Sequence, residues 1–176
     1  MTVLGISGSL RADSHNTRLL RAAADRLPPG AELRIFDGLR DVPPFDEDAE
    51  DAPPPAVVAL KNAIADADAV LIATPEYNHS IPGVLKNALD WVSRPIAASP
   101  MRGKPALVIG ASTGMFGAVW SQAETRKVLG ALGARVIDEE LPVARAPEGL
   151  DDPEVLGRLE GLLAQLTSHP VLARAA

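Results

Sequence analysis

The chain contains no cysteine among its 176 residues and few aromatic side chains. Without cysteine it can form no disulfide, no thiolate metal site and no thiol nucleophile. Aromatic residues make up 3% of the sequence, so a hydrophobic core must be built mainly from alanine, leucine, valine and isoleucine. The composition therefore excludes disulfide-stapled folds and every chemistry that begins at a thiolate.

The sequence also has no excess of positive charge. The formal net charge is −6 at pH 7, which provides no basic surface for nucleic acid or an anionic membrane. No apolar run approaches the length of a membrane-spanning helix, and the residues after Met1 do not resemble a signal segment. We therefore expect a cytoplasmic protein without nucleic-acid or membrane partners, folded as a single domain over residues 1–176.

Apolar runs alternate with amphipathic stretches five times along the chain. The pattern predicts strands at 3–6, 33–36, 69–73, 106–110 and 136–137, and helices at 17–27, 56–64, 83–93, 118–129 and 155–166. This alternation predicts an α/β fold with a five-stranded parallel sheet of order 2-1-3-4-5 and helices on both faces. Ligands of such sheets bind beyond the carboxyl ends of the strands, where the winding direction reverses between strands one and three.

A polar run at residues 8–16 follows the first predicted strand. It offers Ser9, Ser14 and Asn16 as neutral hydrogen-bonding groups and Arg11 as a permanent positive charge. A turn at the start of a helix exposes unpaired N–H groups and the positive end of the helix dipole, which suits an anion such as phosphate. We interpret the run as an anion site. The alternative is a surface loop in which Ser14 or Asn16 merely caps the helix.

A second polar run, Thr74-Pro75-Glu76-Tyr77-Asn78, follows the third predicted strand. Strands one and three are neighbours in the predicted order, so both runs belong at the point where the winding reverses. The two runs together predict one ligand held by two loops.

Other motifs of catalysis or nucleotide binding are incomplete. Gly5-Ile6-Ser7-Gly8-Ser9 misses the nucleophile elbow of hydrolases because its fifth residue is serine. The first loop lacks the third glycine of a dinucleotide fingerprint, and Gly103-Lys104 is followed by proline rather than the Ser or Thr of a P-loop. No metal site is predicted, because metal-ligand spacing is lacking among His15, His79 and His169.

The two runs and their surroundings resemble the NADPH-dependent FMN reductases, from strand one to about helix four. The likeness rests on Gly8-Ser9-Leu10-Arg11 with Ser14 and Asn16, on Pro43-Pro44-Phe45-Asp46-Glu47-Asp48, on Pro75-Glu76-Tyr77-Asn78 with Ser80, Pro82, Gly83, Leu85, Lys86, Asn87, Asp90, Trp91, Ser93, Arg94 and Pro95, and on Gly103-Lys104-Pro105.

The resemblance implies a flavodoxin-like three-layer α/β sandwich and an FMN-containing, NAD(P)H-dependent oxidoreductase. Hydride would pass from NADPH or NADH to bound FMN, and then to free flavin, a quinone, an azo compound or a metal oxyanion. The flavin carries the chemistry, so no catalytic side chain is assigned. A flavodoxin-like electron carrier or a redox-sensing FMN protein is the alternative.

The resemblance also implies homodimers or homotetramers. We expect the subunit contact on helix 83–93, because Leu85, Leu89, Trp91 and Val92 spread its apolar residues over more than one face.

The resemblance assigns cofactor-binding residues in the two polar runs and in the loop after the fourth predicted strand. The FMN phosphate is expected at Ser9, Arg11, Ser14, Asn16 and Thr17, and the isoalloxazine ring along Pro75, Glu76, Tyr77 and Asn78, with its other side flanked by Ser112, Thr113, Gly114 and Gly117.

The chain departs from its relatives after Gly117. Where they often carry a small residue and then arginine, it has Val119-Trp120, which leaves open the choice between NADPH and NADH. Trp120 either covers the flavin, lies at a subunit contact or simply packs on its helix.

Overall fold

A parallel sheet forms the middle of the structure, a computed structural model that describes residues 1–168. Its strands are β1 (Thr2–Ser7), β2 (Glu32–Phe36), β3 (Ala69–Thr74), β4 (Pro105–Ala111), β5 (Arg135–Val136) and β6 (Pro142–Val143). The order is β2-β1-β3-β4-β5, and β6 also pairs with β4. All pairings between these strands are parallel, so the predicted strand order is confirmed.

Helices cover both faces of the sheet. They are α1 (His15–Ala24), α2 (Pro55–Asp66), α3 (Gly83–Val92), α4 (Val119–Ala131), α5 (Ala146–Gly149) and α6 (Pro153–Ser168). Core residues of α1 and α6 pack on one face, and those of α2, α3 and α4 pack on the other. The three-layer α/β sandwich is therefore confirmed. In the described part of the chain, no helix combines the length and the apolar character needed to cross a membrane.

The central strand β3 explains why both faces need helices. Every residue of β3 is buried, and its side chains alternate between the two cores. Leu71 and Ala73 belong to the core under α1 and α6, whereas Val70 and Ile72 belong to the core under α2 and α3. Successive residues of a strand point to opposite faces, so a wholly apolar strand is stable where both faces are covered.

The fifth strand position differs from the prediction of one strand at 136–137. Two short segments, β5 and β6, pair with opposite ends of β4. Between them, Asp138 and Glu140 turn toward Arg126 of α4, at 3.6 and 3.2 Å from its guanidinium. We attribute the interruption to these charges, because the polar run cannot enter a layer buried on both faces.

The structure removes the reason for expecting a subunit contact on α3. Leu85, Leu89, Trp91 and Val92 are all buried in the chain's own core. They cover more than one face of α3 because both the sheet and the loop at residues 41–55 pack against this helix.

That loop is rich in proline and acidic residues and is held to α3 by hydrogen bonds. The Asn87 side chain accepts from the Phe45 N–H at 2.7 Å and donates to the Pro43 carbonyl at 2.8 Å. The Trp91 indole donates to the same carbonyl at 2.8 Å, and its ring packs edge-on against Phe45. These contacts fix an irregular segment on the core.

Replacing Asn87 with alanine should lower the free energy of unfolding by about 1–3 kcal/mol, because the Phe45 N–H loses its acceptor. Lys86→Ala is the matched control, since the neighbouring Lys86 pairs with Asp90 in a half-exposed contact worth about 0.3–0.5 kcal/mol. Urea denaturation measures both changes. Equal losses in the two variants would contradict the anchoring role of Asn87.

Candidate functional site

Three loops meet at one edge of the sheet, beyond the carboxyl ends of β1, β3 and β4. They border a crevice of about 150 Å³. Its lining residues are Ser9, Arg11, Ser14, His15, Asn16, Pro75, Glu76, Tyr77, Ala111, Ser112 and Thr113. The crevice lies where the winding of the sheet reverses, as the sequence predicts.

Nine of the thirteen predicted cofactor-binding residues line this crevice. The Thr17 hydroxyl instead donates to the Ser7 hydroxyl at 3.0 Å and faces an adjoining crevice toward β2. The other three that the structure places outside the lining are Asn78, Gly114 and Gly117.

Gly117 has a structural reason to be glycine. Its φ is +57°, and a Cβ there would lie 2.5 Å from the carbonyl carbon of Pro142. The residue therefore lets the loop after β4 pack directly on the backbone of β6.

The loop after β1 ends in a capped helix. The Ser14 hydroxyl accepts a hydrogen bond from the Thr17 N–H at 3.2 Å, which confirms Ser14 as the cap of α1. The Arg11 guanidinium, which is exposed, donates to the Asp13 carbonyl through Nε at 3.0 Å and also through a terminal nitrogen. The cap does not exclude the predicted anion site, because Ser14 satisfies only one of several N–H groups at the helix start.

Asn16 joins α1 to the end of β4. Its amide donates to the Ala111 carbonyl at 3.0 Å and accepts from the Ala111 N–H at 2.9 Å. The residue is 2% exposed, so the pair of bonds is shielded from water. Asn16 thus fixes the first loop relative to the third.

Gly8 brings the first loop close to the second. Its N–H donates to the Ala73 carbonyl at 2.8 Å. A Cβ at this position would lie 3.2 Å from the Pro75 ring and 3.1 Å from the Leu85 side chain. A larger residue would force the two walls of the crevice apart.

The loop after β3 contains a tight turn from Tyr77 to Ser80. The two residues exchange backbone hydrogen bonds of 3.3 and 3.1 Å. Asn78 and His79, at the centre of the turn, have positive φ values of 53° and 60°. This backbone matches a type I′ turn, in which both central residues adopt the left-handed conformation.

The Glu76 carboxylate links this loop to α4. Its Oε2 accepts from the backbone N–H groups of Trp120 and Ser121, at 3.0 and 3.2 Å. Its Oε1 lies 3.6 Å from Nδ1 of His79. The Glu76 side chain is 12% exposed, so it points into the protein rather than into solvent.

An aromatic rim lies at the outer side of the site. The Trp120 ring packs edge-on against Phe116 and His79, with centroid distances of 4.9 and 4.8 Å. Trp120 is 40% exposed and Phe116 is 57% exposed. The contacts with Phe116 and His79 are compatible with each of the three roles that the sequence leaves open for Trp120.

His15 is a residue of the crevice that sequence reasoning did not assign to it. Its Nδ1 is buried and lacks a hydrogen-bond partner within the described residues. Partial burial, together with the positive charges of Arg11 and Arg18, lowers the pKa of this imidazole below its ordinary value. The sequence feature that could have assigned His15 to the site is its position at the start of α1, between Ser14 and Asn16. Of the other histidines, His169 lies outside the described residues.

The site combines features that suit a phosphorylated planar ligand. One end has a helix N-terminus, Arg11 and an unpartnered imidazole nitrogen, which fit an anion. The other end has Pro75, the Tyr77 ring and backbone groups, which fit a flat heterocycle. The volume is below the usual range for an enclosing pocket, so part of such a ligand would remain at the surface.

Comparison with known proteins supports this chemistry. The family model described as NADPH-dependent FMN reductase matches residues 1–148. The chain is 43% identical over 151 residues to an NAD(P)H-dependent FMN reductase of Pseudomonas aeruginosa, an alignment that covers 85% of this chain and 80% of that protein. It is 37% identical to a quinone reductase of Escherichia coli, with 96% and 93% covered.

A solved structure agrees with these relatives. The flavoenzyme FerB of Paracoccus denitrificans, an NAD(P)H:(acceptor) oxidoreductase, superposes with a TM-score of 0.82 at 34% identity, and the match covers 94% of each chain.

Replacing Arg11 with alanine should raise the pKa of His15, because one of the two positive charges that lower it is removed. The pKa should stay below the ordinary value of histidine, since the burial and the charge of Arg18 remain. The ring should therefore gain its proton at a higher pH in the variant than in the unaltered protein. NMR titration of the imidazole measures this shift, with His15→Gln to assign the resonance. Arg34→Ala, at an exposed arginine on β2, is the charge-matched control. An unchanged pKa of His15 in Arg11→Ala would contradict the electrostatic effect of Arg11 on this imidazole.

Proposed function

The chain belongs to the NADPH-dependent FMN reductase family, and we propose that the crevice between the loops after β1 and β3 holds its FMN. The protein is an oxidoreductase that depends on FMN and NAD(P)H. When bound, FMN supplies the hydride chemistry between NAD(P)H and a flavin or quinone acceptor. The observation that carries the proposal is that one crevice is lined by Arg11 and the start of α1 as well as by Pro75 and the Tyr77 ring.

The first loop binds the phosphate in this proposal. Arg11 provides charge-assisted hydrogen bonds, and Ser9 and Ser14 provide hydroxyl groups beside the N-terminus of α1. Asn16 contributes by holding the loop to Ala111, since its amide nitrogen donates to the Ala111 carbonyl and its amide oxygen accepts from the Ala111 N–H. Thr17 contributes its backbone N–H through the cap rather than its hydroxyl, which donates to Ser7 at the end of β1.

The second and third loops hold the isoalloxazine ring between them. Pro75 and Tyr77 present apolar surface, and Glu76 and Asn78 present backbone groups, as the resemblance implies. Ser112 and Thr113 face the ring from the other side. Gly114 lies in the same loop, and Gly117 acts indirectly, by letting this loop pack on the backbone of β6.

The outer face of the ring is left for the substrates. NAD(P)H and the acceptor would take turns there, because the sequence has no second glycine-rich fingerprint for a nucleotide. Azo compounds and metal oxyanions are included in the proposed range of acceptors on the basis of the family resemblance. Family membership decides against the electron carrier and the redox sensor that the sequence alone left open.

The purified protein should bind FMN and oxidise NAD(P)H in the presence of a quinone. Arg11→Ala should weaken FMN binding at least tenfold, because it removes the charge-assisted bonds to the phosphate. Quenching of FMN fluorescence measures the affinity. Arg34→Ala is the control for the loss of one positive charge away from the crevice. If both variants bind FMN like the unaltered protein, the phosphate lies elsewhere. A protein that binds no FMN would refute the proposal as a whole.

Residues 1–176 are included in the proposal as one flavin-binding domain of a cytoplasmic homodimer or homotetramer. The domain assignment is supported by α6, whose leucines share a core with β1, β3 and β4. The oligomer is supported by exposed apolar side chains at the mouth of the crevice. Met115 is 71% exposed, Phe116 57% and Tyr77 55%. Large apolar side chains that are left exposed on the loops of one site suit an interface.

Phe116→Asp should shift the protein toward the monomer, because a carboxylate cannot be buried without a partner at such an interface. Val58→Asp is the matched control, since Val58 is also an exposed apolar residue but lies on α2, away from the crevice. Sedimentation velocity measures the change. A monomeric unaltered protein would rule out the oligomer, and equal dissociation in both variants would place the interface elsewhere.

A further inference from the structure

We propose that the Glu76 side chain is a positioning residue, which caps α4 from the neighbouring loop and thereby holds the second and third loops in the geometry that binds the flavin ring. The inference rests on the proposed FMN site. In this role the carboxylate acts through α4 and does not itself contact the cofactor.

The start of α4 has no cap of its own. The residue before it, Ala118, has a left-handed backbone with φ 63° and no side-chain hydrogen-bonding group. This fully described helix also has no acidic residue in its first turn. Capping side chains and first-turn acids are the usual ways to satisfy N–H groups at a helix start, so α4 depends on another part of the chain.

Glu76 supplies what α4 lacks. The Val119 N–H donates to the Phe116 carbonyl at 3.2 Å, and the Gln122 N–H donates to the Ala118 carbonyl at 3.0 Å. The two N–H groups between them, at positions 120 and 121, both donate to Oε2 of Glu76. The N–H groups of residues 119 to 121, which precede the first regular helical bond, are therefore satisfied, two of them by a residue 44 and 45 positions away.

The cap connects two walls of the proposed flavin site. Glu76 lies between Pro75 and Tyr77 of the second loop, and the helix start carries Trp120 and follows the loop that contains Ser112 and Thr113. A carboxylate at a helix N-terminus is also stabilised by the helix dipole. Loss of the cap would leave two N–H groups without an acceptor and would let the loops separate.

Other contacts between the same elements provide controls. The Ser80 hydroxyl donates to the Glu124 carboxylate of α4 at 2.6 Å. This bond also joins the second loop to α4, but it lies one turn along the helix and leaves its N-terminus untouched. Glu124→Ala thus removes a carboxylate and a loop contact without removing the cap.

The first experiment measures the cap in the protein without flavin. Hydrogen exchange of the Trp120 and Ser121 amides should become at least tenfold faster in Glu76→Ala, because their acceptor is lost. In Glu76→Gln, whose amide oxygen can still accept, exchange should remain within threefold of the unaltered protein. Glu124→Ala should leave both amides unchanged. Unchanged exchange in Glu76→Ala would overturn the inference.

The second experiment measures FMN affinity in the same proteins. Glu76→Ala should bind FMN at least tenfold more weakly, whereas Glu76→Gln and Glu124→Ala should stay within threefold. Equal weakening in Glu76→Ala and Glu76→Gln, without faster amide exchange, would mean that the carboxylate contacts the flavin directly and would overturn the positioning role. If the unaltered protein binds no FMN, the proposed function fails, while the exchange data still test the cap.

A third variant keeps the test decisive if Glu76→Ala does not fold. Aspartate keeps the charge but is one methylene shorter, so it cannot reach both N–H groups from the same backbone position. Glu76→Gln should therefore exceed Glu76→Asp in both amide protection and FMN affinity. The reverse order would show that charge, rather than capping, explains the role of Glu76.

Discussion

The burial of β3 between two helix layers is the constraint on which the rest of the structure depends. The strands on either side of β3 pair with it in parallel, and each parallel connection needs a crossing segment that places helices on the two faces of the sheet. Every strand of the sheet therefore ends at the same edge, and the loops after β1, β3 and β4 emerge side by side. The crevice is a consequence of this topology, before any particular side chain is considered.

The loops that form the crevice are held by backbone contacts to a large extent. Asn16 bonds both backbone groups of Ala111, Gly8 permits close contact with Pro75, and the Glu76 carboxylate receives two N–H groups of α4. These residues hold each loop against another loop or element. Such fixed geometry suits an enzyme in which the cofactor carries the chemistry and the protein must orient it.

Much of the fold followed from local patterns in the sequence. The strand order was predictable because buried parallel strands are continuous apolar runs and because their connections follow a few topological rules. The fifth strand was predicted incompletely, since β6 has two residues and no recognisable pattern. The burial of Leu85, Leu89, Trp91 and Val92 was misread, because periodicity shows that a helix face is apolar but not what covers it.

The sequence by itself determined the fold class, the family and the two polar runs, because these depend on residue types and on spacing along the chain. Only the tertiary structure decided which groups meet: that the Thr17 hydroxyl bonds to Ser7, that His15 lines the crevice, and that Glu76 bonds to α4. Those contacts join residues from different loops or set the direction of a side chain. They arise from packing in three dimensions, which spacing along one dimension does not encode.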